Sequence, residues 1–252
     1  MFAFIRAWKI SSRALDNKVM RHPDQSVTEA TVERLKPIES NSAALKEWAV
    51  VCKALEEGRQ VILLRKGGIR EYRQGFELMH SDFFLYPTFE HQSKESLQPD
   101  YLDNLDFVSQ NAPVNSRNRI TSFASVVQAK EITDKSVLGR LEKYHIWNDR
   151  YINVRMSYNP KRPLSVLVLR VYKLNNPLEI DIRPEILGCK SWIPIRLLLS
   201  ATTNPQGGEK TQPEYNNEPA SAIDMVKDEC QPVFSESEFT GIVAELQGVL
   251  NQ

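Results

Sequence analysis

A chain that carries LSVLVLRVYKL, the run Leu164 to Leu174, has to build a sheet covered on two sides. Its apolar residues follow one another instead of alternating with polar ones, which is the pattern of a central strand buried on both faces. Arg170 interrupts the run. A charge at that depth must be paired or must face a polar cavity, because an unpaired buried ion costs several kcal/mol.

The stretch Val61 to Gln92 holds the densest chemistry. Two runs suited to a pleated sheet, Val61 to Leu64 and Phe83 to Phe89, bracket a polar segment containing Gly67-Gly68, a turn signal. The spacing predicts a β-ribbon with a charged tip. Arg65 and Lys66 leave its first strand, Arg70 and Arg73 follow, and Glu90, His91 and Gln92 leave its second. Four cations on a short ribbon make a local anion-attracting patch. That patch matters because Lys plus Arg equal Asp plus Glu, 32 each, so no global field draws nucleic acid or a membrane.

Other elements follow from periodicity and caps. Leu45, Trp48, Cys52 and Leu55 predict a core-facing helix over 42–55, with Ser42 as N-cap and Gly58 as its stop. Ser93 to Arg119 reads mostly as surface loop, and Ile120 to Ile132 as a strand or short helix. Asp134 caps a helix carrying Val137, Leu138, Leu141 and Tyr144, and a second short helix runs from Asp149 to Met156. Glu179 to Ile182 reads as a separate strand and Gly188 to Trp192 as a compact turn, followed by a strand or helix from Ile193 to Leu199. Ser235 and Glu238 have capping-box spacing ahead of a last amphipathic helix. The expected division is a basic extension and linker at 1–41, a core domain at 42–199, a disordered spacer at 200–231 and a docking helix at 232–252.

At 252 residues one large or two small domains are possible without disulfide staples. The cysteines, Cys52, Cys189 and Cys230, are odd in number and lack metal-ligand spacing. No run approaches the roughly 20 apolar residues that cross a bilayer, and Arg6 and Lys9 break up any secretory signal at the start. A chain with these features is expected in the cytoplasm.

Walker loop, dinucleotide fingerprint, paired-His zinc helix and nucleophile elbow are all missing from the sequence. Asp82 with Glu90-x-Gln92 loosely fits the spacing of a Mg2+-dependent nuclease, in which two carboxylates hold the metal and a third group positions water. His91 and His145 titrate near neutrality if unperturbed and can act as bases, though neither has a paired nucleophile. Tyr86, Phe89, Trp147 and Trp192, interleaved with Arg170, His91 and Lys190, either fill the core or form a pocket that stacks a base.

Six stretches in order carry a family resemblance: Ala44 to Trp48, Leu63 to Ile69, Leu85 to Gln92, Tyr144 to Trp147, Leu167 to Arg170 and Gly188 to Trp192. Together they resemble the bacterial, mainly cyanobacterial DUF1802 family, a domain of unknown function. The resemblance implies only an association with restriction-type endonuclease domains, hence defence or nucleic-acid processing. The expected fold class is α+β, with a mixed or antiparallel central sheet and flanking helices, a half-open PUA-like barrel being one such form. The expected function is a nucleic-acid-associated or nucleotide-binding module. Its ligand set is Arg65, Lys66, Gly67 and Gly68 with Tyr86 and His91, joined by His145, Trp147, Arg170, Lys190 and Trp192. The alternatives are a metal-dependent phosphodiesterase using Asp82, Glu90 and His91, with Mg2+ as its cofactor, and a structural adaptor.

Overall fold

The structure, a computed structural model, describes residues 43–66, 76–113, 117–188, 190–194 and 230–251. The extension at 1–41, Gly67 and Gly68 with Arg70 and Arg73, Cys189 and the spacer up to residue 229 lie outside the described residues.

The apolar run becomes the middle of β5 (Leu164–Asp181), which continues through the stretch read as a separate strand at Glu179. Along its length β5 pairs antiparallel with β4 (Arg117–Ile132), the segment left open between strand and helix. Their register shifts between Ile120 and Ser122 and again between Val126 and Gln128, and such irregularities bend and twist a ladder. On its other side β5 takes β2 (Ile62–Arg65). β4 takes β3 (Asp82–Thr88), β3 runs parallel to β1 (Ala43–Trp48), and β6 (Trp192–Pro194) closes the order antiparallel to β1. The order is β2-β5-β4-β3-β1-β6, with β7 (Cys230–Pro232) added to β5 at Tyr172 to Leu174. The fold is α+β around a mixed sheet.

Two expectations about how the strands are placed need correction. Residues 43–48 are strand, and the helix α1 begins only at Ala49 (Ala49–Glu56). The slot between β3 and β6 overrides the local helical spacing, since a strand there buries Ala44 on one face and Leu45 on the other. Gly58 does end the helix, at φ +70°. The ribbon is also wrong, because β5 and β4 lie between β2 and β3. Leu63 and Leu64 of β2 instead face Leu167 and Val166, so the aliphatic run of β5 decides the pairing.

The stretch read as loop after Ser93 contains α2 (Leu102–Gln110), whose Leu105 and Val108 reach the core. α3 (Lys135–Arg140) is capped by Asp134, which accepts from the Ser136 N–H at 2.8 Å. α4 (Asp149–Ser157) is capped by Asn148, which accepts from the Tyr151 N–H at 3.0 Å. α5 (Glu236–Leu250) starts with the capping box of Ser235 and Glu238. No helix among the described residues is long and apolar enough to cross a membrane.

Period-two alternation splits the core in two. Phe83 and Leu85 join the larger cluster under the helices, and Phe84 and Tyr86 the smaller one with Ile120, Phe123 and Tyr172. Arg170 meets the condition its depth imposes. Its Nη2 lies 3.2 Å from Glu236, its Nη1 donates to the Ser235 carbonyl at 3.4 Å, and its guanidinium sits 4.5 Å over the Phe239 ring. The buried cation thus fastens the first turn of α5 to β5.

The sheet curls far enough that its ends meet. β2 and the β1–β6 pair stand at opposite ends of the strand order, yet Arg65 Nη1 lies 2.9 Å from Glu47 Oε2 and Nη2 donates to Ser191 Oγ at 2.8 Å. Side chains close this half-barrel where a backbone ladder is missing.

Candidate functional site

The seam is the core of the site. Arg65 leaves the end of β2, Glu47 the end of β1, and Ser191 the turn before β6. With side chains 16% and 9% exposed, Arg65 and Glu47 form a buried ion pair. Both partners find further bonds, as buried ions require. Arg65 also donates to the Lys46 carbonyl at 3.4 Å and lies 5.1 Å over the Phe76 ring, while Glu47 Oε1 accepts from the Trp48 N–H at 2.9 Å. Beside it, Lys66 donates to the Met156 carbonyl at 2.8 Å, tying β2 to the end of α4, and burial lowers its pKa.

Rings stack outward from this seam. Trp48 meets Trp147 edge-on at 5.1 Å, and Trp147 lies flat on Tyr151 at 3.8 Å with 9° between planes. Arg155 donates from Nε to the Tyr151 hydroxyl at 3.0 Å. Burial is the main reason the Tyr151 phenol is pushed up, with Glu47 adding to it and Arg155 and Arg65 opposing, so this ring lies in the field of the seam.

Two hollows flank the stack. The first, about 360 Å³, is walled by Trp48, Tyr151 and Tyr158 with Arg150, Arg155 and Val154, faced by His91, Ser93, Glu95 and Ser96. His91 sits in the left-handed region at φ +62°. The next residue holds that turn down, because Gln92 Oε1 accepts from the Val50 N–H at 2.9 Å and so caps the first turn of α1, while Ser42 lies outside the described residues. The second hollow, about 310 Å³, lies against His145 and Trp147, with Leu138, Gly139 and Ile152 in its wall and Lys135, Ser136, Glu142 and Asp149 completing the lining. Trp147 N–H donates to His145 Nδ1 at 3.2 Å, so the ring proton sits on Nε2. Burial pushes the His145 pKa down to about 4, against smaller upward pulls from the backbones of His145, Leu138 and Trp147.

Of the residues singled out from sequence, Arg65 and Lys66 lie in the seam, His91 in the first hollow, and His145 and Trp147 in the second. The others lie outside the two hollows, Trp192 reaching the seam through the Phe76 ring that Arg65 covers. Tyr86 is in the smaller core, where burial raises its phenol pKa. Arg170 belongs to the α5 junction. Trp192 packs on Phe76, His80 and Phe83 and donates to the Glu77 carbonyl at 3.1 Å, while Lys190 is exposed on the turn before β6. Phe89 packs on the larger core.

The nuclease pairing does not form. Asp82 opens β3 and Glu90 follows its end, which at about 3.3 Å per residue puts them roughly 25 Å apart. Asp82 instead accepts from the hydroxyls of Ser125 at 2.6 Å and Ser81 at 2.7 Å. Among the described residues no group of three His, Cys, Asp or Glu is placed to hold a metal ion. Sequence reading missed Trp48, Arg150, Tyr151, Arg155 and Tyr158. The available signal was Tyr151 and Arg155 at helical i,i+4 spacing, with Arg150 beside them.

The fold and site define an α+β protein whose half-barrel is closed by a buried ion pair and flanked by an aromatic stack. The chain belongs to the family described as domain of unknown function DUF1802, whose model matches residues 44–206. No curated protein matches the chain. Among solved structures it is similar to a variant of the ASCH protein from Zymomonas mobilis, at 12% identity and a TM-score of 0.39, covering 62% of this chain and 88% of that one. The unsubstituted ASCH protein from Zymomonas mobilis gives 12% identity and a TM-score of 0.35 over the same shares.

Proposed function

We propose that the protein is a nucleic-acid-binding module that takes a single-stranded segment into the first hollow. The observation that carries this reading is the meeting of three aromatic rings and two guanidiniums, Trp48, Tyr151, Tyr158, Arg150 and Arg155, around one space of about 360 Å³. In a chain of net charge +0, that local pair of cations stands in for the global field that a basic protein would supply. Aromatic faces accept any base, at about 1–3 kcal/mol per stacked base, and guanidiniums hold phosphate oxygens through paired N–H donors. Arg65 and Lys66 act from behind as positioning residues, fixing β1 and α4 so that the hollow keeps its width. His91 stands on the opposite wall and supplies a ring donor or acceptor.

Fluorescence anisotropy with labelled single-stranded and duplex oligonucleotides at low salt tests this. Single strands are expected to bind in preference to duplex. Replacing Arg150 and Arg155 together by Ala is expected to weaken binding and to flatten the salt dependence by about 0.7 per lost phosphate contact. Absence of binding, or binding indifferent to that double substitution, removes the proposal.

A further inference from the structure

We infer that the second hollow reads a guanine-type base edge, an acceptor pair next to a donor pair, presented by the same strand; this rests on the nucleic-acid reading above. Two observations point to a ligand there. Among the described residues His145 Nε2 and Trp147 Nε1 are buried with no hydrogen-bond partner, the Leu138 backbone lying close enough to raise the His145 pKa without closing a bond on Nε2, and both residues line this hollow. Buried donors without acceptors are costly and rare in native structures. Two such donors, on residues that line one hollow, call for an incoming group that accepts twice.

The rest of the lining has the opposite need. Glu142 and Asp149 bring two carboxylates, and neither takes a hydrogen bond or ion pair from a described residue. Lys135 is the one cation in the lining, so two acids outnumber it and a phosphate group is disfavoured. The ligand must therefore carry acceptors at one edge and donors at another. Guanine does so, with O6 and N7 accepting and N2–H2 donating, whereas adenine and cytosine set an amino donor beside their acceptors. Leu138, Ile152 and the Trp147 ring supply apolar surface for a flat base. Neither ring nitrogen is open to water, so the base has to displace the floor slightly as it seats, a side-chain adjustment common on binding.

The two hollows are arranged about one helix. Asp149 and Ile152 of α4 line the second, while Arg150, Tyr151, Val154 and Arg155 line the first, and the stacked rings of Trp147 and Tyr151 stand between them. A strand crossing the first turn of α4 can lay a phosphate on Arg150 and turn the adjoining base toward His145.

The test is a titration of the full-length, 15N-labelled protein with guanosine, adenosine, cytidine, uridine and, as a competing zwitterion, glycine. The Trp147 indole N–H, assigned by its loss in Trp147→Phe, should move with guanosine and not with the others. Glu142→Gln, at an exposed position where folding is not at stake, should weaken guanosine roughly tenfold, the worth of one bidentate contact. An unmoved Trp147 signal at millimolar guanosine, an equal response to all four nucleosides, or a response to glycine alone overturns the inference. Oligonucleotides run in parallel separate the two claims. Strands that bind without preferring guanine sink this pocket and spare the reading above, while guanosine binding without any strand binding does the reverse.

Discussion

Replacing Arg65 by Met should open the half-barrel along its seam. The substitution keeps most of the apolar stem and deletes the guanidinium, which bonds Glu47 at 2.9 Å and Ser191 at 2.8 Å. Glu47 is then left with its carboxylate 9% exposed and, among the described residues, with the Trp48 N–H at 2.9 Å as its hydrogen-bond donor and Arg155 acting on it through its field without an ion-pair contact. Removing one partner of a buried pair costs about 3–5 kcal/mol, because the other charge stays buried and uncompensated. A chain of this size shifts its midpoint by about 2–4 °C per kcal/mol, so Tm should fall by roughly 6–20 °C. Urea denaturation at pH 7, followed by circular dichroism, measures the loss. Two controls isolate its cause. Lys53→Met removes a half-exposed i,i+4 pair with Glu57 at 2.5 Å and should cost about 0.3–0.5 kcal/mol. Glu47→Met combined with Arg65→Met removes both charges and should recover much of the single loss, since an apolar pair of similar volume is often neutral there. A single variant within about 1 kcal/mol of the parent, or a double variant as unstable as the two singles added, refutes the seam as an ion-pair closure.

Acid should destabilise the protein through His145. Its folded-state pKa, about 4, lies below an unfolded value near 6.5. The unfolded chain therefore binds the extra proton first, so this contribution is full above about pH 6.5 and is lost as pH falls toward 4. The loss is on the order of 3 kcal/mol, and His145→Gln should flatten the stability profile across that window in urea titrations; an unchanged slope rules the histidine out. Gly58→Ala should cost about 1–2 kcal/mol, since φ is +70° and the added Cβ would stand 2.8 Å from Phe234 Cζ, whereas Gly139→Ala in α3, with no atom within 4 Å of its Cβ, should stabilise by about 0.5–1 kcal/mol. Equal midpoints for the two variants in thermal melts contradict this account.

Features that depend on a few neighbouring residues were legible in the sequence. The continuous run of β5, the Gly58 stop, the Asp134 cap and the Ser235 capping box each carry their cause within one turn or one strand. β1 was not legible, because AALKEW has good helix formers and becomes strand only when β3 and β6 arrive on its two sides. The ribbon failed for a similar reason. Gly67-Gly68 signals a turn, but a turn does not choose the partner, and the aliphatic face of β5 offered β2 more than β3 could. Arg65, Glu47 and Ser191 all lie in the motifs that carry the family resemblance, yet nothing in their order reveals that they bond to one another.

That bond also explains where the hollows are. A barrel closed by a backbone ladder has no gap between its end strands, since every N–H and C=O along them finds its partner across the join. Here, among the described residues, β2 and β1 share no ladder and are joined through the Arg65 side chain, and α4 comes in beside them with Tyr151 in the field of the ion pair and Met156 receiving Lys66. The aromatic stack of Trp48, Trp147 and Tyr151 starts one residue after Glu47, at the end of β1. The two hollows lie on either side of that stack, next to a seam that side chains close. The buried ion pair thus joins the two ends of the strand order in place of a backbone ladder.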